Sequence, residues 1–267
     1  MKALCFTVDL DRDSNINVPG QTSAGSIDRG SGIEPRFDSS LQGLRILSEL
    51  FDECGLKATF FAEGRTLENI GSGEYLEGHE VGVHGYDHED LTLLRADEKA
   101  TVIQRSIDVV KDITGKYPKC FRAPYMRTDE ETMKILSKAG IRYDSSQYAE
   151  LGRRMFPTMN GNICEIPVPE GKDRDGNKIV SFLWPMHEGK RGPEDYIEMA
   201  SFVEEGIFNI ATHTWHIVES RSDGVMSGER AKRNIDNVRK LIISLMDMGF
   251  EPLTIPDAVK AIPTGTF

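Results

Sequence analysis

Val81-Gly82-Val83-His84-Gly85-Tyr86-Asp87-His88-Glu89-Asp90 decides how the rest of the chain is read. Val81 and Val83 alternate about Gly82 as a short buried strand does. The strand gives way at His84 to polar residues that read as a turn into a helix start. One helical turn over residues 84–88 would put both imidazoles on one side, with Cβ atoms roughly 5–6 Å apart. Two neutral imidazoles converging in that way suit one divalent cation. Catalytic zinc takes three protein ligands and keeps a position for water, so a third ligand has to come from elsewhere in the chain.

Working outward, the same event recurs: an apolar run ends and a polar residue follows. Residues 3–8 read as a first buried strand that delivers Asp9 and Asp11 at its carboxyl end. On extended backbone two carboxylates one residue apart point the same way, and they diverge if the strand has already ended. Leu41, Leu44, Leu47, Leu50 and Phe51 follow a helical period that Gly55 closes, and Lys57–Phe61 reads as the second strand. A weaker helix or turn over 66–78 precedes the stretch quoted above. A long amphipathic helix through Ala100, Ile103, Ile107 and Val110 follows it. Cys120-Phe121-Arg122 is a strand end, and Thr128-Asp129-Glu130-Glu131 has capping-box spacing ahead of a helix to Gly140. Asp144 follows another short segment. Residues 163–168 and 179–184 read as strands and Pro193–Val203 as helix. Phe208–Thr212 reads as a strand ending at His213, and residues 229–248 as a strong helix. Strand–helix alternation without an internal repeat predicts one α/β domain over 1–267, a closed or nearly closed barrel of parallel strands. In such a barrel Asp9, Asp11, His84, His88, Arg122, Asp144 and His213 share one rim, the rim that carries active sites.

Composition narrows the partners. The chain has 267 residues and a formal charge of −11, with no basic run long enough to track a phosphate backbone, so nucleic acid is excluded as the expected partner. Cys5, Cys54, Cys120 and Cys164 stand far apart and read as reduced, mostly buried thiols. The apolar run at the N-terminus reaches Asp9 too soon for a secretory signal, and no run approaches a membrane span. A cytoplasmic address is therefore expected. Residues 12–38, rich in Gly, Ser, Asn, Asp and Arg, form a long aperiodic segment. Its place after the two carboxylates suggests substrate selection through Arg12, Arg29 and Arg36.

These residues resemble the polysaccharide deacetylase family, also called the NodB-homology or carbohydrate esterase family 4 group. Among its members the chain looks closest to the cytoplasmic peptidoglycan deacetylase-like proteins and cyclic-amide hydrolases. Phe6-Thr7-Val8-Asp9-Leu10-Asp11 resembles the family's first motif, whose aspartates are adjacent in the common form; here Leu10 stands between them. His84-Gly85-Tyr86-Asp87-His88 is similar to the two-histidine metal motif, and Arg122-Ala123-Pro124-Tyr125 to the motif whose arginine orients the base. The resemblance implies a distorted (β/α) barrel and hydrolysis of non-peptide amide bonds with a divalent metal, commonly Zn2+. It implies Asp11, His84 and His88 as ligands, Asp9 as base and His213 as general acid. Asp144 would engage a catalytic side chain. The substrate is either an N-acetylated amino sugar or a small cyclic amide or imide, and a homo-oligomer is expected.

The residue types suit that chemistry. A metal held by one carboxylate and two neutral imidazoles lowers the pKa of its water and polarises a carbonyl. Asp9, ionised beside Arg122, takes the proton. The Tyr125 backbone N–H helps hold the oxyanion. His213 protonates the leaving nitrogen, with Trp215 and His216 as pocket lining. His187 is a candidate substrate contact, Tyr86, Tyr125, Trp184 and Trp215 candidate aromatic walls, and His79 is read as structural. The competing readings are a metal-dependent phosphoesterase, which wants ligands for a second metal, and a non-catalytic carbohydrate- or protein-binding barrel.

Overall fold

The computed structural model describes residues 1–13, 35–71 and 73–264. The segment assigned above to substrate selection, Arg29 included, lies mostly outside these residues. In chain order the elements are β1 (Lys2–Leu10), α1 (Asp38–Cys54), β2 (Thr59–Ala62), α2 (Gly64–Ile70), β3 (Glu80–Val83), α3 (Ala96–Thr114), β4 (Cys120–Phe121), α4 (Glu130–Lys138) and β5 (Tyr143–Asp144). A run of short strands follows: β6 (Tyr148–Glu150), β7 (Arg154–Met155), β8 (Thr158–Asn160), β9 (Ile163–Glu165), β10 (Val168–Lys172) and β11 (Lys178–Val180). The chain ends with α5 (Trp184–His187), α6 (Pro193–Ser201), β12 (Glu205–His213), β13 (Glu219–Ser220), β14 (Gly224–Val225), α7 (Gly228–Asp247), β15 (Phe250–Pro252) and α8 (Ile255–Ala261).

The main sheet runs β7-β12-β1-β2-β3-β4-β5-β9-β8, parallel throughout except for the antiparallel β8–β9 pair. β15 pairs with the first residues of β1, on the edge that β2 takes over from Thr7. The sheet curls without closing, which gives the distorted barrel expected from the sequence. Polar side chains bridge part of its interior: Asn209 Nδ2 of β12 donates to Ser145 Oγ and to the Ile166 carbonyl, at 2.9 and 3.0 Å.

β1 explains which side chains face inward. It is buried on both faces, as a central parallel strand must be, and so reads as a continuous apolar run. Side-chain alternation then divides it. Leu4, Phe6, Val8 and Leu10 join the core beneath the helices, with Phe6 edge-on to Phe51 of α1 at 5.1 Å. Cys5, Thr7 and Asp9 take the opposite parity and face the barrel interior. On β12 the same rule sends Phe208 and Ile210 outward and Asn209 inward, with His213 in the same parity at the strand's end.

Local expectations change: residues 163–168 divide between β9 and β10, and the strand read over 179–184 ends at Val180, with α5 beginning at Trp184. Residues 84–88 form an irregular turn rather than a helical one, because Gly85 (φ 71°) and His88 (φ 56°) are left-handed. The N-cap of α4 is Asp129, whose carboxylate accepts from the Thr132 N–H at 2.8 Å; the capping box read from Thr128 is one residue early. All four cysteines are free thiols. Among the described residues no helix is long and apolar enough to cross a membrane.

Candidate active site

Asp9, Asp11, His84, His88, Arg122, Asp144 and His213 all stand at or just beyond the carboxyl ends of their strands, on one rim of the sheet. Asp11, His84 and His88 come together there. One ligand atom from each lies within 4.8 Å of the other two, and all three residues are buried. His88 Nε2 is 3.7 Å from Asp11 Oδ2, and the two imidazole centroids are 5.1 Å apart. His84 Nδ1 lies 2.8 Å from the Arg122 carbonyl, which can only accept, so Nδ1 carries the proton and Nε2 presents a lone pair. A buried carboxylate with imidazoles held as neutral donors fits a divalent cation of the zinc class. Burial, ahead of the opposing pull of Asp9, keeps the His84 pKa below its ordinary value.

The turn that replaces a helix here is held by its own side chains. Glu89 accepts from the backbone N–H groups of Tyr86 (3.0 Å) and Asp87 (2.9 Å). Asp87 pairs with Arg65 at 2.8 Å and with Arg12. Arg12 also donates to Glu63 through its backbone N–H (2.9 Å), its Nε (2.8 Å) and its Nη2. It is 2% exposed, so it is a buried strut and not a probe for substrate. Arg12-Glu63-Asp87 ties the segment that carries Asp11 to the turn that carries His88. Arg36, at the far end of the same loop, pairs with Glu219 at 2.7 Å.

Beside these three candidate ligands, Arg122 Nη1 donates to Asp9 Oδ1 at 2.8 Å. Its other donors go to Thr7 Oγ1, Ser145 Oγ and the Ser145 carbonyl, at 2.8–2.9 Å, and its guanidinium lies over the Phe61 ring. Every one of these partners fixes the fork in one plane. Burial alone would raise the Asp9 pKa, but Arg122, His84 and His213 outweigh it and hold the carboxylate below its usual range. Arg122 is also linked to the next turn, where Tyr125 and Met126 have φ of 60° and 56°. Left-handed backbone at three non-glycine residues, His88 among them, is strain collected around one site. Tyr125 meets His88 edge-on at 4.6 Å.

His213 is the register partner of Asp9 across β12 and β1. Its ring lies stacked on Trp215 at 5.1 Å and tilted against Phe182 at 4.9 Å. No carboxylate hydrogen-bonds its Nδ1 among the described residues. Burial pushes its pKa down to about 3, so the metal-free protein holds it neutral. Asp144, expected to engage a catalytic side chain, accepts from Ser146 Oγ at 2.5 Å, and Ser146 Oγ accepts from the Ala123 N–H at 2.8 Å. Asp144 thus braces the turn bearing Arg122 and Tyr125.

The remaining expected contacts divide. Trp215 is packed between His213 and His216, the latter stacked at 4.3 Å. The His216 ring bonds Glu188 through Nε2 at 2.9 Å. His187 is 1% exposed and bonded to Thr212 Oγ1 at 2.9 Å, so it lies beneath the site and does not reach its mouth. Tyr86 is turned outward: its hydroxyl donates to Glu68 of α2 at 2.6 Å and Arg105 of α3 covers its ring. Trp184 is the more exposed indole, with Arg221 over its ring at 4.6 Å. His79 is structural, its Nδ1 accepting the Ala58 N–H at 3.1 Å. Sequence reasoning passed over Glu63 and Glu165. Both follow short apolar runs, Thr59–Ala62 and Ile163-Cys164, as surely as His84 follows Val83, and the strand-end rule applied evenly finds them.

Residues 37–143 match the polysaccharide deacetylase family model. Among curated proteins, the peptidoglycan deacetylase of Helicobacter pylori is 36% identical over 148 residues, 54% of this chain and 48% of that protein. The chain spans about half the length of the curated relatives it matches. Among solved structures, one from Mycobacterium smegmatis assigned to the polysaccharide deacetylases superposes with a TM-score of 0.65 at 19% identity, over 100% of this chain and 93% of that one. The family 4 carbohydrate esterase of Streptomyces lividans, in complex with acetate, gives 0.55 at 16% identity, over 95% and 92%. Likeness at this level of identity speaks to the fold alone; the family match falls on the stretch that carries both histidines and Arg122. On these grounds residues 37–143 of the chain are similar to the polysaccharide deacetylase family.

Proposed function

We propose that the protein is a metal-dependent amide hydrolase that removes the acetyl group from an N-acetylated amino sugar. What carries the reading is the meeting of three metal-donor residues, Asp11, His84 and His88, with an arginine-held carboxylate, Asp9, and a strand-end imidazole, His213, on one rim. The names of the relatives support the sugar over a cyclic amide.

A divalent cation, most simply zinc, would be held by Asp11, His84 and His88 and would supply an activated water and a polarised carbonyl. The chain does the rest. Asp9 accepts the proton of the attacking water, and Arg122 keeps that carboxylate ionised and aimed. His213, neutral at rest, acquires its proton during turnover; Asp9, facing it across the strand pair, is the group that holds one. The imidazolium then protonates the departing nitrogen, without which an amine cannot leave. Trp215 fixes the imidazole plane by stacking, and Tyr125 closes the side next to His88.

The test is acetate release from N-acetylglucosamine oligomers and peptidoglycan fragments by zinc-loaded protein, with metal content measured on the same sample. Activity on these that is lost with a chelator and restored by zinc supports the proposal. Turnover of allantoin, a hydantoin or succinimide in their place moves the substrate to the cyclic amides. Metal binding without turnover of either class leaves a binding barrel.

A further inference from the structure

Behind Arg122, away from the metal ligands, two carboxylates meet. Asp144 ends β5 and Glu165 ends β9, and the two are register partners on adjacent parallel strands, so their side chains leave the same face of the sheet. Asp144 is 0% and Glu165 2% exposed. Two of their four oxygens have a donor: Asp144 Oδ1 accepts from Ser146 Oγ, and Glu165 Oε1 accepts from the Gln147 N–H at 3.1 Å. Neither Asp144 Oδ2 nor Glu165 Oε2 meets an N–H or O–H donor among the described residues, although each is fully enclosed. An ionised carboxylate offers only acceptors, and two of them side by side in a buried site repel. A single proton between them gives both remaining oxygens a partner and removes one charge.

We propose that Glu165 is a positioning residue that carries this proton at neutral pH and donates it to Asp144. The acceptor Asp144 then stays ionised, keeps Ser146 Oγ as a donor, and through Ser146 holds the Ala123 N–H in place. Ala123 sits between Arg122 and the left-handed Tyr125, so the proton on Glu165 secures the turn that aims the catalytic arginine. The charges that face the pair are few. Arg122, just beyond β4, is the cation, Asp9 of β1 lies beyond it, and Ser145, Ser146, Gln147 and Asn209 around them are neutral. With one proton shared, Asp144, Glu165, Arg122 and Asp9 together carry one negative charge, and the guanidinium remains committed to Asp9. With none shared, Arg122 would be drawn between Asp9 and a dianion. Burial first, then the charge of Asp144, drive the Glu165 pKa well above its ordinary value, in the direction the geometry requires.

The decisive measurement is infrared difference spectroscopy of the full chain at pH 7, wild type against Glu165→Gln, which needs no activity and so stands apart from the proposed reaction. A protonated-carboxyl C=O stretch in the wild type that is missing in the variant supports the assignment; its absence from the wild type overturns it. Kinetics supply the second arm. Glu165→Gln keeps a donor toward Asp144, and its kcat is expected within about 3-fold of wild type. Glu165→Leu has no donor, and its kcat is expected to fall about 10–100-fold with KM and zinc content nearly unchanged, the size of effect seen when an outer partner of a site is removed. Equal kcat in the two variants overturns the positioning role. If the leucine variant does not fold, the infrared comparison decides alone.

Discussion

At the scale of single residues, the two aspartates of β1 are told apart by their neighbours. Asp9 is gripped by Arg122, whereas Asp11 lies 3.7 Å from His88 Nε2 and within the three-residue donor set. An Asp9→Asn variant should therefore bind zinc normally and lose on the order of 10²–10⁴-fold in kcat, the usual worth of a general base. Asp11→Asn should lose zinc along with activity. Metal analysis of both purified variants beside their kinetics checks the pair, and metal loss confined to Asp9→Asn would exchange the two roles. The strut behind the ligands makes a separate prediction. Glu63 is fully buried and receives Arg12 and the Thr66 hydroxyl. Glu63→Gln leaves Arg12 with Asp87 as its one remaining carboxylate partner among the described residues and loosens the link between Asp11 and His88. Zinc affinity, measured by competition with a chromogenic chelator, should fall about 10–100-fold, as it does when outer-shell partners are removed.

At the scale of elements, what could be read in advance follows a clear physical line. β1, β12, α1 and α7 carry long periodic runs, and their residues were legible because burial against a whole layer leaves a strong pattern. β4 and β5 are two residues long, and β6 to β11 run from two to five, so little period has room to show. The turn at 84–88 misled for a different reason. A four-residue histidine spacing satisfies a helix and an irregular turn alike, and only Gly85 at φ 71° hinted at the second. Arg12 reads as a loop residue until Glu63 is seen to receive it. Contact between elements also sets a tolerance that composition hides. Gly43 of α1 abuts the turn after His213 so closely that an added Cβ would lie 1.9 Å from the Thr214 carbonyl oxygen. Because that obstacle is backbone, Gly43→Ala must push α1 and the 214–217 turn apart. We expect a loss of about 1–3 kcal/mol in denaturant unfolding, as for other overpacked sites. A fall in kcat with zinc content intact should accompany it, since the same turn carries Trp215.

At the scale of the whole molecule, the sheet gathers polar groups from β1, β2, β3, β4, β5, β9 and β12 into one enclosed rim, and this has a cost that depends on pH. His187 and His213 are buried and held neutral, their pKa values lowered mainly by desolvation, that of His213 to about 3. An unfolded histidine titrates near 6.5. Between those values the unfolded chain binds protons that the folded chain refuses, so stability rises with pH across the window and falls as pH drops from about 6.5 toward 3. Above about 6.5 neither state is protonated and these two groups no longer contribute a slope. Glu188 adds to the lower end of the window. Its hydrogen bond to His216 holds its pKa well below the usual carboxylate range, and the stability from that depression is lost as pH falls below about 4.3. The metal-free protein should thus be most stable at or above neutrality. Each buried histidine should subtract up to about 1.4 kcal/mol per pH unit inside the window. Urea unfolding of zinc-free protein at pH 7.5, 6.5, 5.5 and 4.5 measures the slope. His213→Gln, which removes one of the buried rings held neutral, should reduce the slope between 6.5 and 4.5 while leaving the values at 7.5 and 6.5 parallel to wild type. A variant with the wild-type slope throughout would mean that water reaches His213 in the folded state, and that the imidazole is not held neutral by burial.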